Sequence, residues 1–166
     1  MTTKIHAVVD ALGNPLRFVL TGGQCHDSVT GYEMLKQMDL TKKQVLADRA
    51  YDTNRILNLL KEQSATSVIP SKKNRRKPRK WDKEIYKERH LIECFFNKVK
   101  NNRRLATRYD KLACTFRAFL SLASIMVWLA YQGILDICIT SYNKQRNIFN
   151  VCCMREHIRV GWSLLY

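Results

Sequence analysis

The stretch YKERHLIECFFNKVK, which runs from Tyr86 to Lys100, determines how the rest of the chain is interpreted. Apolar side chains recur at helical spacing in and just before it, and they predict the buried face of a helix: Ile85, Ile92, Phe96 and Val99. Four polar side chains fall on a neighbouring stripe of that helix: Tyr86, Arg89, Glu93 and Lys100. A polar stripe alone indicates no more than a solvated face. The spacing of these four residue types is more specific than the stripe itself.

The charge of the chain is strongly positive and is concentrated in one segment. The sequence has 29 Lys and Arg against 14 Asp and Glu, which gives a net charge of +15 over 166 residues. Fifteen basic and four acidic side chains lie between Ser71 and Arg108. Such a concentration favours a polyanionic partner, most often nucleic acid, over a solvated basic face or an acidic membrane surface.

The spacing of the cysteines and the length of the apolar runs indicate the cellular compartment of the protein. None of the six cysteines forms a C-x2-C pair, and no His lies at zinc-finger spacing to them. Because the N-terminus does not resemble a signal peptide, we expect free thiols in a reducing cytoplasm. The most apolar run, Ala118–Tyr131, has fourteen residues and predicts a buried core helix, since a membrane span needs about twenty. A membrane anchor stays open if that helix continues to Thr140.

The order of predicted elements indicates an α/β fold with mixed strand directions. A hairpin opens the chain, with strands at Lys4–Asp10 and Leu16–Leu20. Helices and strands then alternate: a helix capped by Asp27 or Ser28, a strand at Gln44–Ala47, a helix capped by Asp52 or Thr53, a strand at Thr66–Ile69, the helix of the opening stretch, and an apolar helix at Leu112–Tyr131. The tail from Gln132 to Tyr166 has no clear period.

A basic loop, Ser71–Lys80, precedes the helix of the opening stretch. Its sequence SKKNRRKPRK has no apolar side chain, so the loop cannot fold by burying itself. We expect its basic side chains to contact the DNA backbone, although a solubility role is the simpler alternative. These side chains are Lys72, Lys73, Arg75, Arg76, Lys77, Arg79 and Lys80.

The polar spacing reads Y-x2-R-x3-E-x6-K, and it resembles the signature of insertion-sequence transposases of the DDE type. Flanking phrases resemble the insertion-sequence-five group, within the insertion-sequence-four superfamily: TTKIHAVVDALGNPLRFVLTGGQ, VLADRAYD, VIPSKKNRRKPRKWDKEIYKER and ATRYDKLA. This resemblance implies a ribonuclease-H-like mixed sheet with flanking helices. It also implies a partial transposase domain over residues 1–130 and a divergent tail over residues 131–166.

The resemblance implies a catalytic and metal-binding role for two acids. Glu93 would be one ligand of Mg²⁺ or Mn²⁺, and Asp48 at the end of a strand would be another. Tyr86, Arg89 and Lys100 would position the transposon end. By itself Asp48 is better interpreted as a strand-end turn residue; Tyr51, at the family's spacing from it, favours the metal-binding role.

The resemblance also implies that the sheet is incomplete. The family's first, central strand and its Asp lie upstream of the TTKIHAVVD segment, so both are expected to be missing here. The sheet could then close up, accept a strand from another polypeptide, or stay partly open. Asp10 is the nearest substitute in sequence, but its position before the turn predicts a turn cap.

The implied function is that of a truncated insertion-sequence transposase. Its partners would be DNA at the terminal inverted repeats and either the upstream transposase segment or the full-length enzyme, with no membrane, in the cytoplasm at the nucleoid. With two acids, the chain alone is expected not to catalyse cleavage. The alternative is a non-catalytic DNA-binding fragment, either a regulator of transposition or a decayed relic.

Overall fold

The computed structural model describes residues 3–107, 110, 112–138 and 148–154, and it arranges five strands in one sheet. The strands are β1 Thr3–Val9, β2 Pro15–Gly22, β3 Gln44–Leu46, β4 Thr66–Val68 and β5 Ile148–Met154. Their order across the sheet is β2-β1-β5-β3-β4. β1 is antiparallel to both neighbours, and β3 is parallel to both of its own. The prediction of a mixed α/β fold is therefore confirmed.

Six helices accompany the sheet in the described part of the chain: α1 Asp27–Lys36, α2 Asn54–Glu62, α3 Lys83–Tyr86, α4 His90–Lys100, α5 Arg103–Ala106 and α6 Ala113–Cys138. Two short 3-10 turns lie at Arg49–Tyr51 and Lys87–Arg89. The second turn interrupts the helix predicted from the opening stretch. The backbone stays in the right-handed helical region from Tyr86 through His90, so the stripe of polar residues continues through the change of pitch.

The two faces of the sheet support separate cores. Alternate residues of β1 point to opposite faces, as the pleat requires. One core lies under α4 and α6 and contains Ile5, Ala7, Val9, Ile92, Phe95, Phe96, Val99, Phe116 and Leu120. The other lies under α1 and α2 and contains Val8, Met34, Leu35, Val45, Ile56, Leu59, Leu60 and Val151.

Local capping explains where several elements begin. The Thr53 hydroxyl accepts from the Ile56 N–H and caps α2, and the Asp82 carboxylate accepts from Glu84 and Ile85 and caps α3. The predicted cap of α1 is wrong in detail. The N-cap residue is His26, and its side chain makes no capping hydrogen bond. The Asp27 carboxylate forms an ion pair with the buried Lys4 ammonium at 2.9 Å.

The tail supplies the strand that occupies the middle of the sheet. Val151 lies opposite Val8 of β1, and Asn150 lies opposite Leu46 of β3. The expectation of an incomplete sheet, with a gap between the hairpin and β3, is therefore wrong. An unpaired edge on each side of such a gap would leave buried N–H and C=O groups without partners, and β5 supplies partners to both edges.

Helix α6 is longer than predicted. It has 26 residues, and its first eighteen, Ala113–Ala130, are long and apolar enough to cross a membrane, with 22% of them buried. The core helix of a soluble protein meets the same criterion of length and composition. Phe116 and Leu120 are buried against the sheet, whereas Leu122 and Met126 are exposed. The helix thus packs one face on the core, as predicted, and leaves an apolar face exposed.

Burial of Val151 yields a test of the central strand. Val151→Asp should lower the free energy of unfolding by about 3 kcal/mol or more, because it places a charge without a partner between two strands and against a core. Val29→Asp introduces the same charge on the exposed side of α1 and should change it by about 0.5 kcal/mol or less. Urea unfolding of both variants measures the difference. Equal stability of the two would contradict the position of β5.

Candidate functional site

Asp48 lies where the sheet gives way to solvent. Leu46 ends β3, Ala47 is buried, and Asp48 is exposed at the start of the following 3-10 turn. Its Oδ1 accepts from the Arg49 N–H at 2.5 Å and caps that turn. The carboxylate therefore has the strand-end role that its local sequence favours, and this cap uses one oxygen. Its predicted metal-binding role stays a prediction.

The turn after Asp48 is fixed by one close approach. Tyr51 ends the turn with its side chain buried, and its ring lies directly against Gly31 of α1. A Cβ on Gly31 would stand 2.2 Å from Cε1 of that ring, so a larger residue cannot occupy this position without displacing the turn. Packing of α1 on Tyr51 thus holds the segment that carries Asp48.

The polar stripe of the opening stretch forms a row of contacts. Arg89 donates to Glu93 Oε1 at 2.5 Å, across one helical turn. The Arg89 guanidinium also lies 5.8 Å from the centre of the Tyr86 ring. The Trp81 ring meets Tyr86 edge-on with centroids 4.9 Å apart and so packs at the entry to α3. Three of the four predicted stripe residues are thus in contact, while Lys100 ends α4 further along.

The row of polar contacts begins beside β3 and β4. Tyr86 and Ile85 pack against Leu46 of β3 and Val68 of β4. Leu46 lies two residues before Asp48 in the sequence. No three His, Cys, Asp or Glu side chains of the described residues converge as a group able to hold a metal ion. The described acids alone therefore do not fit a centre for two metals.

Asp10 caps the hairpin turn between β1 and β2. Its Oδ1 accepts from the backbone N–H of Leu12 at 2.9 Å and of Asn14 at 2.8 Å, and its Oδ2 accepts from the Asn14 amide at 3.2 Å. The carboxylate is occupied in closing the hairpin turn, as predicted.

The basic loop lies against the start of α2, and the two border a shallow, open depression of about 670 Å³. Six of its seven basic side chains are exposed and Arg75 is half-buried. Arg108, the last basic residue of the wider positive segment, lies outside the described residues. The loop therefore presents a dense positive surface immediately before α3.

The structure adds one residue that sequence analysis missed, the Asp52 carboxylate under this loop. The local sequence predicts only a helix-capping role for Asp52, and Thr53 takes that role. Its partners are Lys72 and Arg75, which are twenty or more residues away in sequence. No local pattern signals a contact at that separation. The one local signal is that Asp52 precedes a helix that the neighbouring Thr53 already caps, which leaves the Asp52 carboxylate available for another contact.

Comparisons with known proteins agree with the resemblance seen in the sequence. Residues 1–128 match the family model described as the transposase DDE domain. The chain is 42% identical over 130 residues to a Brucella ovis protein named as a transposase for insertion sequence element IS6501. That match covers 78% of this chain and 99% of the relative. No solved structure matches the chain. The central strand β5 comes from beyond the residues that match the family model.

Proposed function

The chain belongs to the transposase DDE-domain family, and from that premise we propose that it binds the DNA ends of an insertion sequence through its basic loop and the neighbouring polar row. One observation carries the proposal: six exposed basic side chains lie immediately before α3, and the 3-10 turn and helix that follow α3 carry Arg89 and Glu93. Phosphate groups attract such a surface without regard to sequence, which fits the positioning of a DNA backbone.

Roles for the other predicted residues follow from this proposal. Tyr86, Arg89 and Lys100 would position the transposon end, here taken as the terminal inverted repeat. The Arg89–Glu93 ion pair supports a fixed orientation of the carboxylate, because both side chains are held across one turn of helix. Membership of the insertion-sequence-five group, a ribonuclease-H-like sheet and a cytoplasmic location at the nucleoid are parts of the same proposal.

Transposase DDE domains generally use divalent metals. In the proposal Asp48 and Glu93 would hold Mg²⁺ or Mn²⁺, and the metal would activate the attacking oxygen and stabilise the leaving one. Since no three His, Cys, Asp or Glu side chains converge among the described residues, we assign no step of cleavage to this chain acting alone. A further acid would come from another polypeptide, either an upstream transposase segment or a full-length transposase.

A non-catalytic DNA-binding fragment is the second candidate function. The observation that favours it is the position of β5 between β1 and β3, the place proposed for the family's own central strand. A chain that fills this place with its own tail leaves no room there for a strand from a partner. Such a chain would occupy transposon ends and restrain the active enzyme.

Salt dependence tests the DNA-binding proposal. Parent affinity for a duplex carrying the terminal repeat should fall steeply with salt, because each phosphate contact contributes about −0.9 to the log–log slope. Arg76→Gln combined with Lys77→Gln should flatten the slope by up to about 1.8. Fluorescence anisotropy between low and moderate salt measures both.

The matched control removes the same charge elsewhere. Lys36→Gln with Lys61→Gln changes two exposed lysines in the last turns of α1 and α2. It should leave the slope close to the parent value. If both double variants flatten the slope equally, binding follows net charge alone, and the assignment to the basic loop fails.

Cleavage assays test the absence of catalysis. With Mg²⁺ or Mn²⁺ and labelled repeat DNA, the parent chain should cleave no faster than Glu93→Gln, because two acids cannot fix two metals for in-line displacement. DNA binding by Glu93→Gln that is at least as tight as that of the parent verifies that the variant is folded, because the substitution removes a negative charge beside the DNA. Metal-dependent cleavage by the parent that disappears in Glu93→Gln would show that the described acids suffice.

A further inference from the structure

The Asp52 carboxylate is buried beneath the basic loop, with 2% of its side chain exposed. Its Oδ2 accepts from the Lys72 backbone N–H at 2.9 Å. Its Oδ1 accepts from Arg75 Nη1 at 2.5 Å, and Arg79 Nη1 lies 3.6 Å away. One acid thus bonds the beginning and the middle of the loop and attracts its end.

Two neighbouring polar groups reinforce these contacts. The Asn54 side-chain oxygen accepts from Arg75 Nη2 and from Arg79 Nη2, the latter at 3.2 Å. The Ser71 hydroxyl accepts from the Arg79 backbone N–H at 2.9 Å and closes the loop on itself. Arg75 and Arg79 therefore use their guanidinium groups within the protein.

A loop of this composition needs such an anchor. Its seven basic side chains repel one another, and it has no apolar side chain to bury. Burial by itself would raise the pKa of Asp52, but the hydrogen bonds from Lys72 and Arg75 and the charges of Arg75 and Arg79 outweigh it, so that the pKa lies below its ordinary value. Asp52 is consequently a carboxylate at neutral pH, and it holds the loop by charge as well as by geometry.

We propose that Asp52 is the positioning residue of the DNA-binding loop: it engages Arg75 so that the exposed Lys73, Arg76 and Lys77 meet the phosphates from a loop that is already ordered. The inference rests on the proposed DNA-binding function. Within the loop, Arg75 and Arg79 are then the anchors held by the protein, and Lys73, Arg76 and Lys77 are the residues that contact DNA phosphates. An ordered loop binds more tightly because less conformational entropy is lost on binding.

The sign of one mutational effect separates positioning from simple electrostatics. Asp52→Asn removes a negative charge, so a purely electrostatic surface would bind DNA more tightly. If Asp52 positions the loop, the same variant should bind about tenfold more weakly, because the loop then loses its conformational entropy on binding DNA, and this loss opposes binding. Anisotropy at one fixed salt concentration, with the duplex carrying the terminal repeat, gives the ratio.

Two further variants keep the test decisive. Asp39→Asn makes the same chemical change at an exposed acid that bonds to Thr41 in its own turn, and it should bind as the parent does or slightly more tightly. Asn54→Ala alters no charge and sits at an exposed position, yet it removes the shared acceptor of both anchors. It should weaken binding in the same direction as Asp52→Asn, by a smaller factor.

Hydrogen exchange without DNA completes the experiment. Backbone amides of residues 71–80 should exchange faster in Asp52→Asn than in the parent, with the amides of β1 and β3 unchanged, which also verifies the fold. If Asp52→Asn and Asn54→Ala bind DNA as tightly as the parent or more tightly, the positioning role is overturned. If the parent itself fails to bind DNA while the exchange difference persists, the anchor stands and the proposed DNA-binding function fails.

Discussion

The structure depends on one strand that pairs with neighbours of opposite direction. β5 is antiparallel to β1 and parallel to β3, and it joins the β1–β2 hairpin to the β3–β4 pair. Without it these would be two separate two-stranded ribbons, which are marginal structures in water. Val151 belongs to the core under α1 and α2, and α4 crosses the opposite face of the sheet. The same strand therefore supports Asp48 at the end of β3 and the helix that carries Glu93.

Elements with local signals were predictable from the sequence. The hairpin is marked by its turn residues, and Asp10 closes that turn as expected. Thr53 and Asp82 cap the helices that follow them, because a cap needs only a backbone N–H two or three residues away. β5 carries no such signal. Its sequence IFNVCCM lacks a clear alternation, and it becomes a strand through partners more than a hundred residues earlier.

The candidate site likewise contains contacts that the local sequence predicts and contacts that only the tertiary fold creates. Arg89 and Glu93 face each other because helical spacing dictates it, and the charge of the basic loop is visible in its composition. The contact of Asp52 with Arg75 could not be predicted, since it depends on how α2 and the loop after β4 are brought together by the sheet. The local patterns indicate a transposase DDE domain, and the tertiary contacts explain how a highly charged loop acquires a defined conformation.

The chain completes its own sheet with a strand from beyond the residues that match the family model, and amide hydrogen exchange of Ile148–Met154 tests this arrangement most directly. Strand amides paired on both sides exchange only when the sheet opens. In the full chain these amides should exchange as slowly as those of β1. Exchange of Ile148–Met154 as fast as that of residues 71–80, with β1 and β3 still protected, would contradict it.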